Sequence, residues 1–266
     1  MWVNPVKQAW KEGRQTIGAW LSLPNSFTAE LMAHQPFDWL CIDMQHGLID
    51  YSDVVHMLQA IAITDVTPFV RVPWNDPATI MKVLDAGAEG VVVPLVNTAE
   101  EAERAVGAVR YPPRGYRSAG PIRAALHRGG DYQTRAAENI AVIPMIETKA
   151  GIDNLDEICS VEGVDAIYVG PSDLGYALGL PPRMDNPDPL HIETVHTILD
   201  ACKRHNVAAG IHTGGVEFSA RWLERGFQMV TLTSDAACIT RMASMMLREV
   251  RERSGVPPIT RTAAAV

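Results

Sequence analysis

Eight short runs, each apolar almost throughout rather than at every second residue, constrain this chain more than any other feature. They are TIGAWLSL (16–23), DWLCIDM (38–44), TPFVRVPW (67–74), GVVVPLV (90–96), IAVIPMIE (140–147), VDAIYVG (164–170), VAAGIHT (207–213) and QMVTLTS (228–234). A strand with one wet face alternates, whereas a strand covered on both faces does not, and parallel sheets flanked by helices are of the second kind. Segments with helical spacing lie between the runs. DPATIMKVLDAGAEG puts Ile80, Met81, Leu84 and Ala88 on one face, and TAEEAERAVGAVR is of the same kind. Eight strands, each followed by a helix, in 266 residues predict one (β/α)8 TIM barrel over residues 1–255, with a doubly wound open sheet as the alternative. Two stretches fall outside the pattern. Residues 110–136, rich in Gly, Pro and Arg, make a long connection between the fourth and fifth strands, which reads as functional or contact-making. Residues 256–266 read as a flexible tail.

Composition narrows the class of function. Hydrophobic residues at 47% and charged residues at 20% suit a soluble globular chain. A net charge of −8 with no Lys/Arg-rich run argues against nucleic acid as a partner. No run reaches membrane-spanning length, and the N-terminus lacks the apolar core of a signal peptide. Cys41, Cys159, Cys202 and Cys238 form no CxxC pair, which predicts a reducing cytoplasm and no cysteine-held zinc.

Active sites of such barrels lie at the C-terminal ends of the strands. Those ends carry Asp43 and His46 after the second run, Arg71 on the third, Glu147 closing the fifth, Asp173 after the sixth and His212 on the seventh. Each has a plain structural reading alone: Asp43 and Glu147 as helix caps, His46 as a loop histidine, Arg71 as an ion-pair partner. Together they make a site. Glu147 and Asp173 suit a hard divalent cation such as Mg²⁺ or Mn²⁺, with water and substrate oxygens completing its shell. Arg71 offers a positive fork to a carboxylate or a developing enolate. Asp43 beside His46 suggests an acid orienting an imidazole for proton transfer. The turn from Gly170 through Pro171 and Ser172 to Asp173 offers backbone N–H groups to an anion.

FDWLCIDMQHG, VRVPWNDPATIMKVLDAGAEGVVVP, RYPPRGYR and IPMIETKAGIDNLDEICSVEGVDAIYVGPSDL, with GF…VTLTSD near the end, resemble the HpcH/HpaI aldolase family in order from about residue 14 to 250. The resemblance implies a metal-dependent class II pyruvate aldolase on a TIM barrel with a domain-swapped C-terminal helix. It also implies a homo-oligomer, commonly a hexamer built as a trimer of dimers. Glu147 and Asp173 match the family's ligands for Mg²⁺, Mn²⁺ or Co²⁺. Arg71 matches the arginine that holds the pyruvyl keto oxygen, His46 the histidine that handles the aldol hydroxyl proton, and Asp43 its acidic neighbour. Asp85 matches a family acid that approaches the histidine's site, with a route across a subunit boundary. Gly170 to Asp173 would hold the pyruvate carboxylate, and Trp20 matches a pocket aromatic.

The sequence departs from the family pattern at four places: Gln45 where Glu usually precedes the histidine, Met145 where Gln is frequent, Ser118 in the long connection, and His212 where an apolar residue often lines the aldehyde pocket. The implied reaction is cleavage of a 4-hydroxy-2-oxo acid to pyruvate and an aldehyde, with side decarboxylation of oxaloacetate. Three rivals remain: a Schiff-base aldolase, for which no strand run supplies a lysine; another lyase or mutase of the phosphoenolpyruvate/pyruvate barrel type; and a non-catalytic barrel.

Overall fold

Eight parallel strands close into a barrel, paired in sequence order from first to last, in a computed structural model that describes residues 2–258. They are β1 (Thr16–Leu21), β2 (Trp39–Asp43), β3 (Thr67–Arg71), β4 (Gly90–Val93), β5 (Ala141–Ile146), β6 (Ala166–Val169), β7 (Ala208–His212) and β8 (Met229–Ser234). Each lies inside one of the eight apolar runs. The helices are α1 (Pro5–Lys11), α2 (Ser26–Ala33), α3 (Tyr51–Ile61), α4 (Pro77–Asp85), α5 (Ala99–Val109), α6 (Ile122–Arg128) and α7 (Tyr132–Asn139). They continue as α8 (Lys149–Asp153), α9 (Leu155–Cys159), α10 (Pro171–Ala177), α11 (Pro189–His205), α12 (Val216–Arg225) and α13 (Asp235–Ser254). The tail expected over 256–266 falls, from residue 259 onward, outside the described residues.

The apolar runs fill two separate cores, because successive side chains on a strand point to opposite faces. One core lies between strands and helices, and there α4 buries Ile80, Val83 and Leu84 while Met81 is only half covered. Replacing a fully buried leucine such as Leu84 with alanine would cost about 2–5 kcal/mol. The other core fills the barrel: Trp20, Trp39, Cys41, Phe69, Val92, Ile143, Met145 and Tyr168, with Val6 and Trp10 of α1 closing the floor. Gly18 is dictated by this filling, since a Cβ there would overlap the Trp39 ring.

Helix starts follow from local chemistry. Pro77 occupies the first turn of α4, and the Asp76 carboxylate accepts a hydrogen bond from the Thr79 amide at 2.9 Å. The helices that pack on the barrel run back toward the strand starts, so their first residues lie near the mouth and their last near the floor, whereas α13 buries only Asp235. That direction decides where several candidate residues end up. The connection over 110–136 folds largely into α6 and α7 and lies under the floor, where Tyr132 stacks on Trp2 at 5.2 Å.

Candidate active site

The mouth is organised from β2 and β3, which pair Asp43 with Arg71 in register. Arg71 Nε donates to Asp43 Oδ1 at 2.8 Å and Nη2 to Oδ2 at 2.6 Å, a two-pronged pairing that fixes the plane of the guanidinium. Trp20 lies beneath it, with Arg71 Cζ 4.3 Å from the ring centroid. Burial alone would raise the Asp43 carboxyl, but the Arg71 fork and the Gln45 and His46 amides hold it below the usual range. Burial likewise opposes the Arg71 charge, and Asp43 more than restores it. Arg71 Nη1 has no partner among the described residues and is not enclosed, so it is left facing the mouth.

This pairing changes the expected role of Asp43. Its carboxylate meets His46 only through the backbone amide, at 3.3 Å, and not through the imidazole. An acid already engaged by both prongs of a guanidinium has little left with which to orient a ring. His46 is exposed on the loop after β2, and its ring has no hydrogen-bond partner among the described residues. Beside it, the Gln45 Oε1 is enclosed without a partner.

Glu147 and Asp173 follow β5 and β6. Glu147 is 2% exposed and receives one hydrogen bond on Oε1, from the Leu95 amide at 3.0 Å. Leu95 donates from a left-handed backbone with φ 54°, which for a branched residue stores about 1–3 kcal/mol of strain. The other carboxylate oxygen, Oε2, lies against Gly170, where a Cβ would overlap it. Burial, opposed by the Leu95 bond and reinforced by the Asp173 charge, pushes Glu147 up to about 7. Asp173 stands exposed in the first turn of α10 with no side-chain hydrogen bond among the described residues. Two neighbouring carboxylates with unfilled lone pairs suit a hard divalent cation. No group of three or more His, Cys, Asp and Glu gathers among the described residues, so such an ion would depend on water and substrate for the rest of its shell. In the same turn Pro171 has no N–H, which leaves Ser172 and Asp173 as the amides available to an anion.

His212 ends β7 and is half buried, edge-on to Trp20 at 5.2 Å and to Tyr168 at 6.4 Å between centroids. Its Nδ1 lies 3.4 Å from Tyr168 Oη, and Tyr168 in turn hydrogen-bonds Thr231. Trp20 Nε1 donates to Thr231 Oγ1 at 2.6 Å and to Tyr168 Oη at 3.1 Å. Burial, with the Arg71 charge, holds His212 down to about 4, so the ring is neutral at ordinary pH.

Asp85 does not join this group within the chain. It closes α4 and therefore lies at the floor, where Arg117 Nη2 holds it at 2.6 Å. Tyr168, Thr231 and Leu95 are the mouth residues that sequence reasoning did not single out. Tyr168 and Thr231 were findable by parity, two residues apart from inward-facing positions on their strands. Leu95 carried no signal, since nothing in its residue type announces a positive φ. Asp235 also stands at a strand end but is consumed by the chain, accepting from Ser22 N at 2.9 Å and Leu23 N at 3.1 Å.

Comparison with known proteins agrees with this architecture. The family profile described as HpcH/HpaI aldolase/citrate lyase matches residues 16–241. The chain is 39% identical over 249 residues to a hydroxypyruvate/pyruvate aldolase of Rhizorhabdus wittichii, covering 94% of this chain and 99% of that one. It is 37% identical over 246 residues to a 4-hydroxy-2-oxo-heptane-1,7-dioate aldolase of Escherichia coli, covering 91% and 93%. Among solved structures, an HpcH/HpaI aldolase/citrate lyase family protein from Burkholderia cenocepacia superposes with TM-score 0.88 at 34% identity, covering 94% of this chain and all of that one.

Proposed function

The chain belongs to the HpcH/HpaI aldolase/citrate lyase family, and from that premise we propose that it cleaves 4-hydroxy-2-oxo acids to pyruvate and an aldehyde, and joins them in reverse. The observation that carries this reading is the contrast inside one mouth: a fixed guanidinium with a free edge beside two carboxylates that have no side-chain partner among the described residues. Glu147 and Asp173 would hold a divalent cation, Mg²⁺, Mn²⁺ or Co²⁺. Bound there, it would act as a Lewis acid toward the oxo acid.

The chain's own groups do the rest. Arg71 Nη1 donates to the oxo oxygen and stabilises the negative charge that builds there as the C3–C4 bond breaks, while Asp43 keeps the fork from turning. The Ser172 and Asp173 amides receive the substrate carboxylate. His46, exposed and with no side-chain partner among the described residues, takes the proton of the C4 hydroxyl, and a proton delivered to C3 of the resulting enolate completes pyruvate. Asp43 serves His46 by holding the loop backbone. The same charge-stabilising corner would release CO₂ from oxaloacetate as a side reaction.

A Schiff-base route finds little support, because the one buried lysine among the described residues, Lys7, lies on α1 at the floor, and Lys149, at the start of α8, is exposed and paired with Asp153. The four cysteines are all free, which suits a reducing cytoplasm as its compartment. No helix among the described residues is long and apolar enough to cross a membrane. The helix α13 leaves Ile239, Met242, Met246 and Val250 uncovered, which supports assembly as a homo-oligomer with that helix exchanged between copies. Pyruvate release from a short 4-hydroxy-2-oxo acid by EDTA-stripped protein tests the reading. Activity should appear only on adding Mg²⁺ or Mn²⁺, and Glu147→Ala should stay silent. Turnover indifferent to EDTA would refute it.

A further inference from the structure

The seventh strand places a histidine where the barrel filling is otherwise aromatic or aliphatic, and the contacts around it decide which of its nitrogens carries the proton. Gly210 and His212 lie two apart on β7, so both face inward, and the absence of a side chain at Gly210 makes room for Tyr168, whose ring a Cβ there would approach at 2.7 Å. His212 pairs in register with Thr231 of β8.

Trp20 Nε1 can only donate, and it donates to both hydroxyl oxygens, Thr231 Oγ1 and Tyr168 Oη. Two hydroxyl protons then remain for the three atoms Thr231 Oγ1, Tyr168 Oη and His212 Nδ1. Every group is satisfied when Thr231 donates to Tyr168 and Tyr168 donates to His212 Nδ1. A neutral imidazole that accepts at Nδ1 carries its hydrogen on Nε2. His212 Nε2 has no partner among the described residues, yet it is absent from the enclosed, unpaired polar atoms, so it opens on the mouth. Arg71 packs on the same Trp20 ring. The mouth thus presents a second fixed donor, neutral where Arg71 is charged, locked by a relay of hydroxyls that makes no contact with the carboxylate pair.

We propose that His212 determines specificity: its Nε2–H donates to a hydroxyl on the carbon next to a reacting carbonyl, so hydroxylated reactants are favoured over their deoxy counterparts. This rests on the aldolase reading above. The hydroxyl has two sources to distinguish, the 3-hydroxyl of a 2-oxo acid or the 2-hydroxyl of an aldehyde, and both present a hydroxyl oxygen on the carbon bonded to the carbonyl carbon. An uncharged hydrogen bond of this kind is worth roughly threefold to tenfold in discrimination.

Two substrate pairs test it with metal-replete protein: hydroxypyruvate against pyruvate with one common aldehyde, and glycolaldehyde against acetaldehyde with pyruvate. The ratio of kcat/KM within each pair is the readout. In the native protein one ratio should favour the hydroxylated member about tenfold. His212→Phe should bring that ratio close to one, and His212→Gln, which returns an N–H at a similar reach, should restore part of it. A fall confined to the first pair assigns the hydroxyl to the oxo acid, and a fall confined to the second assigns it to the aldehyde. Ratios unmoved by His212→Phe, in a folded variant that still turns over the deoxy pair, would overturn the proposal. Absence of aldol product from native protein with pyruvate and acetaldehyde would instead count against the aldolase reading. Should His212→Phe fail to fold, ¹⁵N imidazole shifts of the native protein decide. The Nε2–H tautomer at neutral pH is expected, and the Nδ1–H tautomer would defeat the assignment.

Discussion

The two ends of the barrel treat charge in opposite ways. At the floor, each buried ionic group finds an oppositely charged partner within the chain, although Arg117 Nε and Nη1 and Arg128 Nε are enclosed without a partner of their own. Lys7 Nζ meets Asp165 at 2.8 Å and the Ile140 carbonyl at 3.0 Å, Arg110 shares the same aspartate, Asp85 is held by Arg117, and Glu89 by Arg128 with Trp2. At the mouth, Arg71 keeps one edge free, Glu147 has a single amide donor, and Asp173 and the His46 ring have no partner among the described residues. Of these only Arg71 and Glu147 are buried, and a buried charge left without compensation is costly, so a fold keeps one only where something else completes it. The floor is built for stability, and the mouth is built to be finished by a ligand.

Perturbing each end separately breaks or sharpens that contrast. The largest effect is expected at the mouth: Glu147→Ala should lower kcat by about a thousandfold and abolish Mn²⁺ binding seen by calorimetry, with little loss of thermal stability. Gly170→Ala should follow at about a hundredfold, since its methyl would displace the Glu147 carboxylate without touching any charge.

At the floor the signs reverse. Asp165→Ala strands Lys7 and Arg110 together and should cost about 3–5 kcal/mol in denaturant titration, while kcat of the folded fraction stays unchanged. A large fall in kcat there would erase the distinction between the two ends.

Arg71→Lys keeps the charge but loses the two-pronged hold on Asp43 and the aimed Nη1. It should lower kcat about a hundredfold with KM less affected.

The smallest effect is a pH slope. Burial lowers Lys7 to about 8 from an ordinary 10.5, against the pull of Asp165. Between those two values the unfolded chain holds the proton and the folded chain does not. The contribution of Lys7 to stability therefore rises with pH across that window, by a few kcal/mol at most. Denaturant midpoints measured at pH 8 and pH 10 should rise more in the native protein than in Lys7→Met, and equal slopes would show that Lys7 is not desolvated.

Much of the mouth was legible because strand ends can be read from residue type. Asp43, Arg71, Glu147, Asp173 and His212 each close or follow an apolar run, and a closed barrel brings the ends of all its strands to one rim. What each acid does there was not legible. Asp43, Glu147, Asp173 and Asp235 look alike in sequence, yet Asp43 is engaged by Arg71 and Asp235 by the amides of Ser22 and Leu23, while Glu147 and Asp173 have no side-chain partner among the described residues. Partners that distinguish them lie 28 residues from Asp43 and 213 from Asp235, beyond any local pattern. Leu95 was invisible for a related reason: its positive φ is imposed by the loop that aims its amide at Glu147.

The sequence by itself determined the number of strands, their burial on both faces, the identity of the rim and the family, because these depend on residue type, period and order along the chain. Tertiary structure decided that the 110–136 connection and Asp85 belong to the floor of their own barrel, since α4 packs back along the strands and Arg117 holds Asp85 at its end. It also decided which charges are satisfied and which hydroxyl His212 Nδ1 meets, since those depend on atoms that only the closed barrel brings within hydrogen-bond reach.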